Sequence, residues 1–162
     1  LFQRLDRVEL KHLEHDTKFN QVFDAIEAKD ITPKQGIIYN GQIFDAHVFV
    51  SKIIRSAKKS IVLIDNYIDE SVLTLLTKRK KGVSAKIITK SISKRLELDV
   101  QKFNEQYEPI TVEVLKNIHD RFIIIDEKDL YNSGASFKDL GKKISTFTKM
   151  EKSTLEMLGK LK

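Results

Sequence analysis

The sequence predicts an α/β domain, with helices on both faces of a mixed sheet, behind one long N-terminal helix. Three observations carry that prediction. Residues 1–30 hold neither Gly nor Pro, the strongest local breakers of a helix. From "SIVLID" at 60–65 onward, short apolar runs rich in β-branched residues alternate with amphipathic stretches, and such runs read as buried strands. Strand, helix, strand, helix, strand is the order that lays helices over a sheet.

Within 1–30, Leu1, Leu5, Val8, His12, His15, Phe19, Val22 and Ile26 follow alternating steps of four and three. That spacing is a heptad seam, so the helix is expected to pair two chains as a coiled coil. The alternative is an amphipathic helix lying on its own domain. Buried in a seam, His12 and His15 would weaken pairing once protonated; they are read as tolerated polar positions and not as metal ligands.

Pro33 and Gly36 end that helix. "IIYNGQIF" then reads as two apolar arms about Asn40-Gly41, a β-hairpin linker over 31–44. The remaining domain spans 45–162. Asp45 is placed as the cap of a helix whose face carries Ala46, Val50, Ile53 and Ala57. "DESVLTLLTKRKKG" reads as a helix with acids first, bases last and Gly82 as its stop. "VSAKIIT" is a strand, and "SKRLELDVQKFNEQY" a helix with Leu96, Val100, Phe103 and Tyr107 on one face. "ITVEVL", "RFIII" and "ISTFT" are further strands, and a closing helix begins near Glu151.

The totals bound the function. At 162 residues and 41% hydrophobic, the chain suffices for one cored domain and an appendage. No apolar run approaches the roughly 20 residues that cross a bilayer, and no signal-peptide pattern is visible, so membrane insertion is not expected. The chain has no cysteine, which excludes disulfides and thiolate metal sites and fits a reducing, cytoplasmic compartment. A net charge of +6 favours polyanionic partners, nucleic acid among them. Leu1 stands where a start methionine would, so the chain reads as a piece of a longer protein.

Chemistry concentrates in "HDRFIIIDEKDLYNSGASFKDLGKK", residues 119–143. His119 and Arg121, two apart on a strand entry, project from one face. Asp126 ends the apolar run, and Gly134, Ala135 and Ser136 form a small-residue turn that lets backbone amides approach a ligand. Cleaving a phosphodiester through a covalent intermediate needs a nucleophile, cations for the non-bridging oxygens and a proton donor for the leaving oxygen. A histidine held by a carboxylate can be the nucleophile, and Arg121 and the Ser136 hydroxyl can grip phosphate oxygens.

This ordered set resembles the H-x-K-x4-D-x6-G-S-x2-N motif of the phospholipase D superfamily. His119 matches the histidine, Arg121 stands at the lysine, Asp126 falls at the aspartate and Ser136 at the serine. "AKKSIVLIDNYIDESVLTLLTKRKKGVSAKIIT" resembles that superfamily's first strand, helix and second strand, so the likeness spans about 45–162. It implies an αβα sandwich and a site completed by two motifs across a pseudo-twofold axis. This sequence carries one such motif, so the resemblance implies a homodimer. It departs from the pattern in three ways. Arginine replaces lysine, which is no neutral exchange; the turn is two residues longer; and Asp139 stands where the family has asparagine. Lys138, Lys142 and Lys143 can offset that anion, with Gly134, Lys138 and Lys142 as phosphate binders. "DNYIDE" follows the first strand at an edge where α/β sites form, so Asp65, Asn66 and Tyr67 are candidate pocket residues or caps of the next helix.

Residues 78–95 hold eight bases and no acid: Lys78, Arg79, Lys80, Lys81, Lys86, Lys90, Lys94 and Arg95. A helix end complementing its dipole accounts for the first four; all eight together read as a nucleic-acid contact. The long helix, "ITPKQGIIYNGQIFDA" and "HDRFIIID…GASFKDLGKK" together resemble the carboxy-terminal region of bacterial proteins that begin with a phage-type (KilA-N-like) DNA-binding domain. That implies DNA as partner and a DNA-binding domain upstream of this sequence.

Three functions are weighed. The first is a dimeric phosphodiesterase, a nuclease, with His119 as nucleophile through a phosphohistidine and its dimer mate as general acid, without metal or cofactor. The second is a non-catalytic dimerisation and phosphate- or nucleic-acid-binding module of a DNA-binding regulator. A phosphoinositide-binding membrane module ranks third, because no amphipathic anchor stands out.

Overall fold

The computed structural model describes residues 35–151 and Glu156. The N-terminal helix with its seam, and the closing helix beyond Glu151, therefore lie outside the described residues. Along the chain come β1 (Gln35–Ile38), α1 (Ile43–Ser56), β2 (Ser60–Ile64), α2 (Glu70–Leu76), β3 (Ser84–Thr89), α3 (Lys94–Gln106), β4 (Thr111–Val114), β5 (Arg121–Ile125), β6 (Asp129–Ser133), a 3-10 turn (Phe137–Asp139) and β7 (Ser145–Met150).

One mixed sheet results, in the order β1-β7-β6-β5-β2-β3-β4. The pairs β2–β3 and β3–β4 are parallel, and α2 and α3 supply the crossovers that parallel pairs require. The remaining pairs are antiparallel. Capping fixes where the crossovers start: the Asp69 carboxylate accepts from Ser71 N at 2.9 Å and Ser93 Oγ from Leu96 N at 3.1 Å. α2 stops at Leu76, short of the expectation, so Lys78–Lys81 follow the helix instead of closing it. Gly82, at φ +84°, turns the chain into β3.

Alternation along the strands divides the apolar residues into two layers. Ile61, Leu63, Ile87, Ile123, Ile125, Tyr131 and Phe147 pack with α1, α2 and Phe103 of α3 in the main core. Ile64, Phe122 and Leu130, flanked by Val62, Ile88, Ile118, Ile124 and Met150, form a second cluster. All three described helices contribute to the first cluster and none to the second, so helices on both faces are found on one face only among the described residues.

The expected hairpin at Asn40-Gly41 does not form. β1 pairs instead with β7, Ile38 opposite Ser145, and Ile43 and Phe44 of the supposed second arm enter α1. The helical period decides this: Ala46, Phe49, Val50 and Ile53 are all buried, and a helix reaching back to Ile43 carries that face whole. Gln42 occupies the N-cap position of α1 without a side-chain cap bond, and Asp45 falls in its first turn, which corrects the placing of Asp45 as the cap. Strand β6 was not expected either, since "DLYNS" has only two apolar residues, Leu130 and Tyr131, and buries Ser133 beside them.

Candidate functional site

Strand directions assemble one edge of the sheet. Ile64 sits opposite both Ile88 and Phe122, and Arg121 opposite Ser133. The ends of β2, β3 and β6 therefore meet the start of β5, which puts Asp65 next to Arg121. Over this edge folds the segment 134–144. Between them lies a cleft of about 550 Å³, lined by Tyr67, Arg121, the Gly134–Ser136 turn, Lys138, Asp139 and Lys142–Ile144.

Asp65 holds this edge together. It is fully buried. One carboxylate oxygen accepts from Tyr67 N at 3.0 Å; the other accepts the Ser136 hydroxyl and Phe137 N, each at 2.7 Å. Burial pushes its carboxyl above the usual aspartate range, and these hydrogen bonds with the Arg121 charge offset only part of that. Asp65 is thus a fastener of the turn and no helix cap, which is the role of Asp69. Ser136 is buried and its one proton is directed at Asp65, with Tyr67 O at 3.2 Å. It offers a ligand lone pairs and not the donor expected of it.

A Cβ at Gly134 would stand 3.1 Å from Thr146 N and Oγ1, so the missing side chain lets the turn approach β7 closely, and Gly134 also lines the cleft. Arg121 is half-buried, its Nη1 only loosely placed 3.5 Å from Gly134 O, and most of its donors stay available to the cleft. Asp139 is answered by Lys142 at 3.2 Å and Lys138 at 4.0 Å; Lys138 also lies 5.9 Å from the Tyr67 ring centre. Arg121, Lys138, Lys142 and Lys143 thus surround the cleft against one lining carboxylate. A phosphate fits that balance.

Two motif residues fall outside. His119 is exposed in the segment 115–120 and does not line the cleft. Asn66, a proposed pocket residue, instead donates through Nδ2 to Ile118 O at 2.7 Å and anchors that segment. Asp126 lies at the opposite end of β5, about 16 Å from Arg121 at roughly 3.3 Å per residue. There it gathers Lys58 N (3.0 Å), Lys59 N (2.7 Å) and Ser60 N (3.0 Å). Burial alone would raise its carboxyl, but those amides and the Lys59 charge bring it below the usual range. It cannot reach the imidazole. Of the four motif residues, then, only Arg121 and Ser136 meet.

The basic run also divides. Lys78–Lys81 precede β3 and Lys90, Lys94 and Arg95 follow it, so they occupy opposite ends of a six-residue strand. Arg79 is tied to the carbonyls of Glu108 and Pro109; burial lowers its pKa and Glu108 raises it in part. Lys86 pairs with Glu113 at 2.9 Å and Arg95 with Glu70 at 3.7 Å. The sequence reading passed over Ile144, which lines the cleft and is exposed; an apolar residue between lysines and a strand was its only signal. Among the described residues no group of three His, Cys, Asp or Glu side chains is placed to hold a metal ion, and no helix is long and apolar enough to cross a membrane.

No family model and no curated protein sequence matches the chain. Solved structures do. NucT from Helicobacter pylori superposes with a TM-score of 0.57 at 16% identity, over 79% of this chain and 92% of that one. Nuc from Salmonella typhimurium, a phospholipase D family member, gives 0.58 at 19%, over 78% and 89%. TrmBL2, an archaeal chromatin protein with its own mode of DNA binding, gives 0.52 at 14%, over 98% of this chain and 61% of that one. At such identities the likeness is one of fold alone: a mixed sheet with helices, shared with a phospholipase D family member.

Proposed function

We propose, from the phospholipase D fold, that this domain binds phosphate groups in the cleft over Arg121 and serves as the dimerising, phosphate-binding module of a DNA-associated protein. One observation carries this: four cations surround a cleft in which the one carboxylate that lines it among the described residues, Asp139, is already paired with lysines. Arg121 offers a planar fork to two phosphate oxygens, and Lys138, Lys142 and Lys143 neutralise the remaining charge. DNA association is supported by the net charge and by the fold shared with a DNA-binding chromatin protein. Pairing of two copies is supported by the heptad seam of residues 1–30.

The hydrolase reading keeps one observation in its favour, for His119 stands two residues from Arg121 on the same edge of the sheet. In that reading His119 attacks phosphorus and a second copy's histidine protonates the leaving oxygen, with no metal or cofactor called for. Against it, no carboxylate bond to the imidazole is present among the described residues and the histidine is outside the cleft.

Calorimetry with orthophosphate, beside a metal-free cleavage assay on DNA and on bis(p-nitrophenyl) phosphate, decides between them. Arg121→Ala is expected to weaken phosphate binding about 10- to 100-fold, the worth of lost charge-assisted hydrogen bonds, while His119→Ala binds as wild type and neither diester is cleaved. Turnover by the wild type that vanishes in His119→Ala would restore the hydrolase.

A further inference from the structure

Between β4 and β5 the chain must cross the ends of two other strands, because β4 is the sheet's edge and β5 lies beyond β3 and β2. The crossing segment, residues 115–120, is fastened in two places: Leu115 N donates to Thr89 O at 2.9 Å and Asn66 Nδ2 to Ile118 O at 2.7 Å. The first bond sets Lys116 beside Lys90, which follows β3. At the other end Arg121 opens β5 in the wall of the cleft. Lys116, Asn117, His119 and Asp120 all face outward. An exposed ledge therefore leads from Arg121, past His119, to Lys90, about 10 Å away by two strand spacings, and on to Lys116 just past the edge strand β4.

The cations along this ledge have no structural employment. Lys90, Lys94 and Lys116 have no carboxylate partner among the described residues, whereas Lys86 and Arg95 are answered by Glu113 and Glu70. Nor does α3 gain from Lys94, since a cation in the first turn opposes the helix dipole. The exposed lysines at the other end of the sheet, Lys58, Lys59, Lys80 and Lys81, lie away from the cleft. Outside the cleft itself, and among the described residues, Lys90, Lys94 and Lys116 combine exposure, lack of a carboxylate partner and continuity with the phosphate site.

We infer that Lys90, Lys94 and Lys116 extend the cleft into a track for the phosphate backbone of DNA, with His119 beside that track as a contact. A lone phosphate binds within the cleft and leaves the ledge unused; a chain of phosphates continues along it. This rests on the cleft being a phosphate site, and the experiment keeps the two apart. The full chain is titrated with a fluorescein-labelled DNA duplex over a range of salt, and separately with orthophosphate. Lys90→Ala/Lys94→Ala/Lys116→Ala weakens DNA binding and flattens the log–log salt slope by up to about 2.7, at 0.9 per phosphate neutralised, with orthophosphate affinity unchanged. Lys58→Ala/Lys59→Ala/Lys80→Ala/Lys81→Ala leaves that slope as it was. An unchanged slope in the first variant, a flattened slope in the second, or no DNA binding by the wild type at low salt overturns the track while the cleft stands. If orthophosphate binding survives Arg121→Ala, the cleft reading itself falls.

Discussion

Each end of the sheet is tied by one aspartate that gathers the hydrogen-bond donors of a neighbouring segment. At the cleft edge Asp65 takes Tyr67 N, Phe137 N and the Ser136 hydroxyl; at the far edge Asp126 takes the amides of Lys58, Lys59 and Ser60. The task is shared and the outcomes diverge. Asp65 has no solvent contact and its carboxyl is raised; Asp126 keeps some, and its amides and Lys59 lower it. Burial decides the sign. The comparison also separates motif from site: the aspartate at the motif's spacing is a fastener of the far edge, and the aspartate of the cleft comes from another strand.

Asp65→Ala is expected to have the largest effect. It leaves Tyr67 N and Phe137 N without their acceptor in the interior and frees the turn that walls the cleft, for a loss of about 3–5 kcal/mol together with phosphate binding. Denaturant titration and calorimetry read the two; retention of phosphate affinity in a folded Asp65→Ala would show that the turn needs no fastener. Asp126→Ala is expected to cost less, about 2–3 kcal/mol, because its surroundings are partly solvated. Part of that comes from the backbone, since Asp126 and Glu127 both hold φ +55°, which alanine tolerates worse than aspartate or asparagine. Phosphate affinity should not change. If it fell, the two edges would be coupled through β5 and the separation drawn here would be wrong.

How far the sequence disclosed these edges follows from what each residue answers to. Strands β2, β3, β5 and β7 were legible because their apolar runs answer to the core alone. β6 was not, because two of its polar residues are satisfied from other strands, Asn132 Nδ2 by Arg121 O and Asp129 by Lys149, and Ser133 Oγ by Ala135 O in the adjoining turn. Asn40-Gly41 is a strong local hairpin signal, and it lost to the non-local pairing of β1 with β7 and to the helical face beginning at Ala46. At the site, Arg121, Ser136, Lys138 and Lys142 came from one contiguous stretch, and all four line the cleft. The central place of Asp65 depends on a contact across seventy-one residues, which only the fold brings about.

The smallest effect, and the finest test of the comparison, is in how stability depends on pH. Asp65 has a folded pKa above that of the unfolded chain, about 3.9. Above that value the native state holds a proton the unfolded state has lost, so stability falls as pH rises through the folded pKa. Asp126 is the reverse: its folded pKa lies below, and its contribution is present above about 3.9 and lost as pH falls through the folded value. Each carboxyl therefore governs its own limb of the profile. Asp65→Asn should remove the decline on the alkaline side of pH 4 and leave the acid limb; Asp126→Asn, which tolerates the same backbone, should make the acid limb shallower and leave the other. Urea midpoints across the acid range check both. Were the two variants to alter the same limb, burial would not be what distinguishes the two ends.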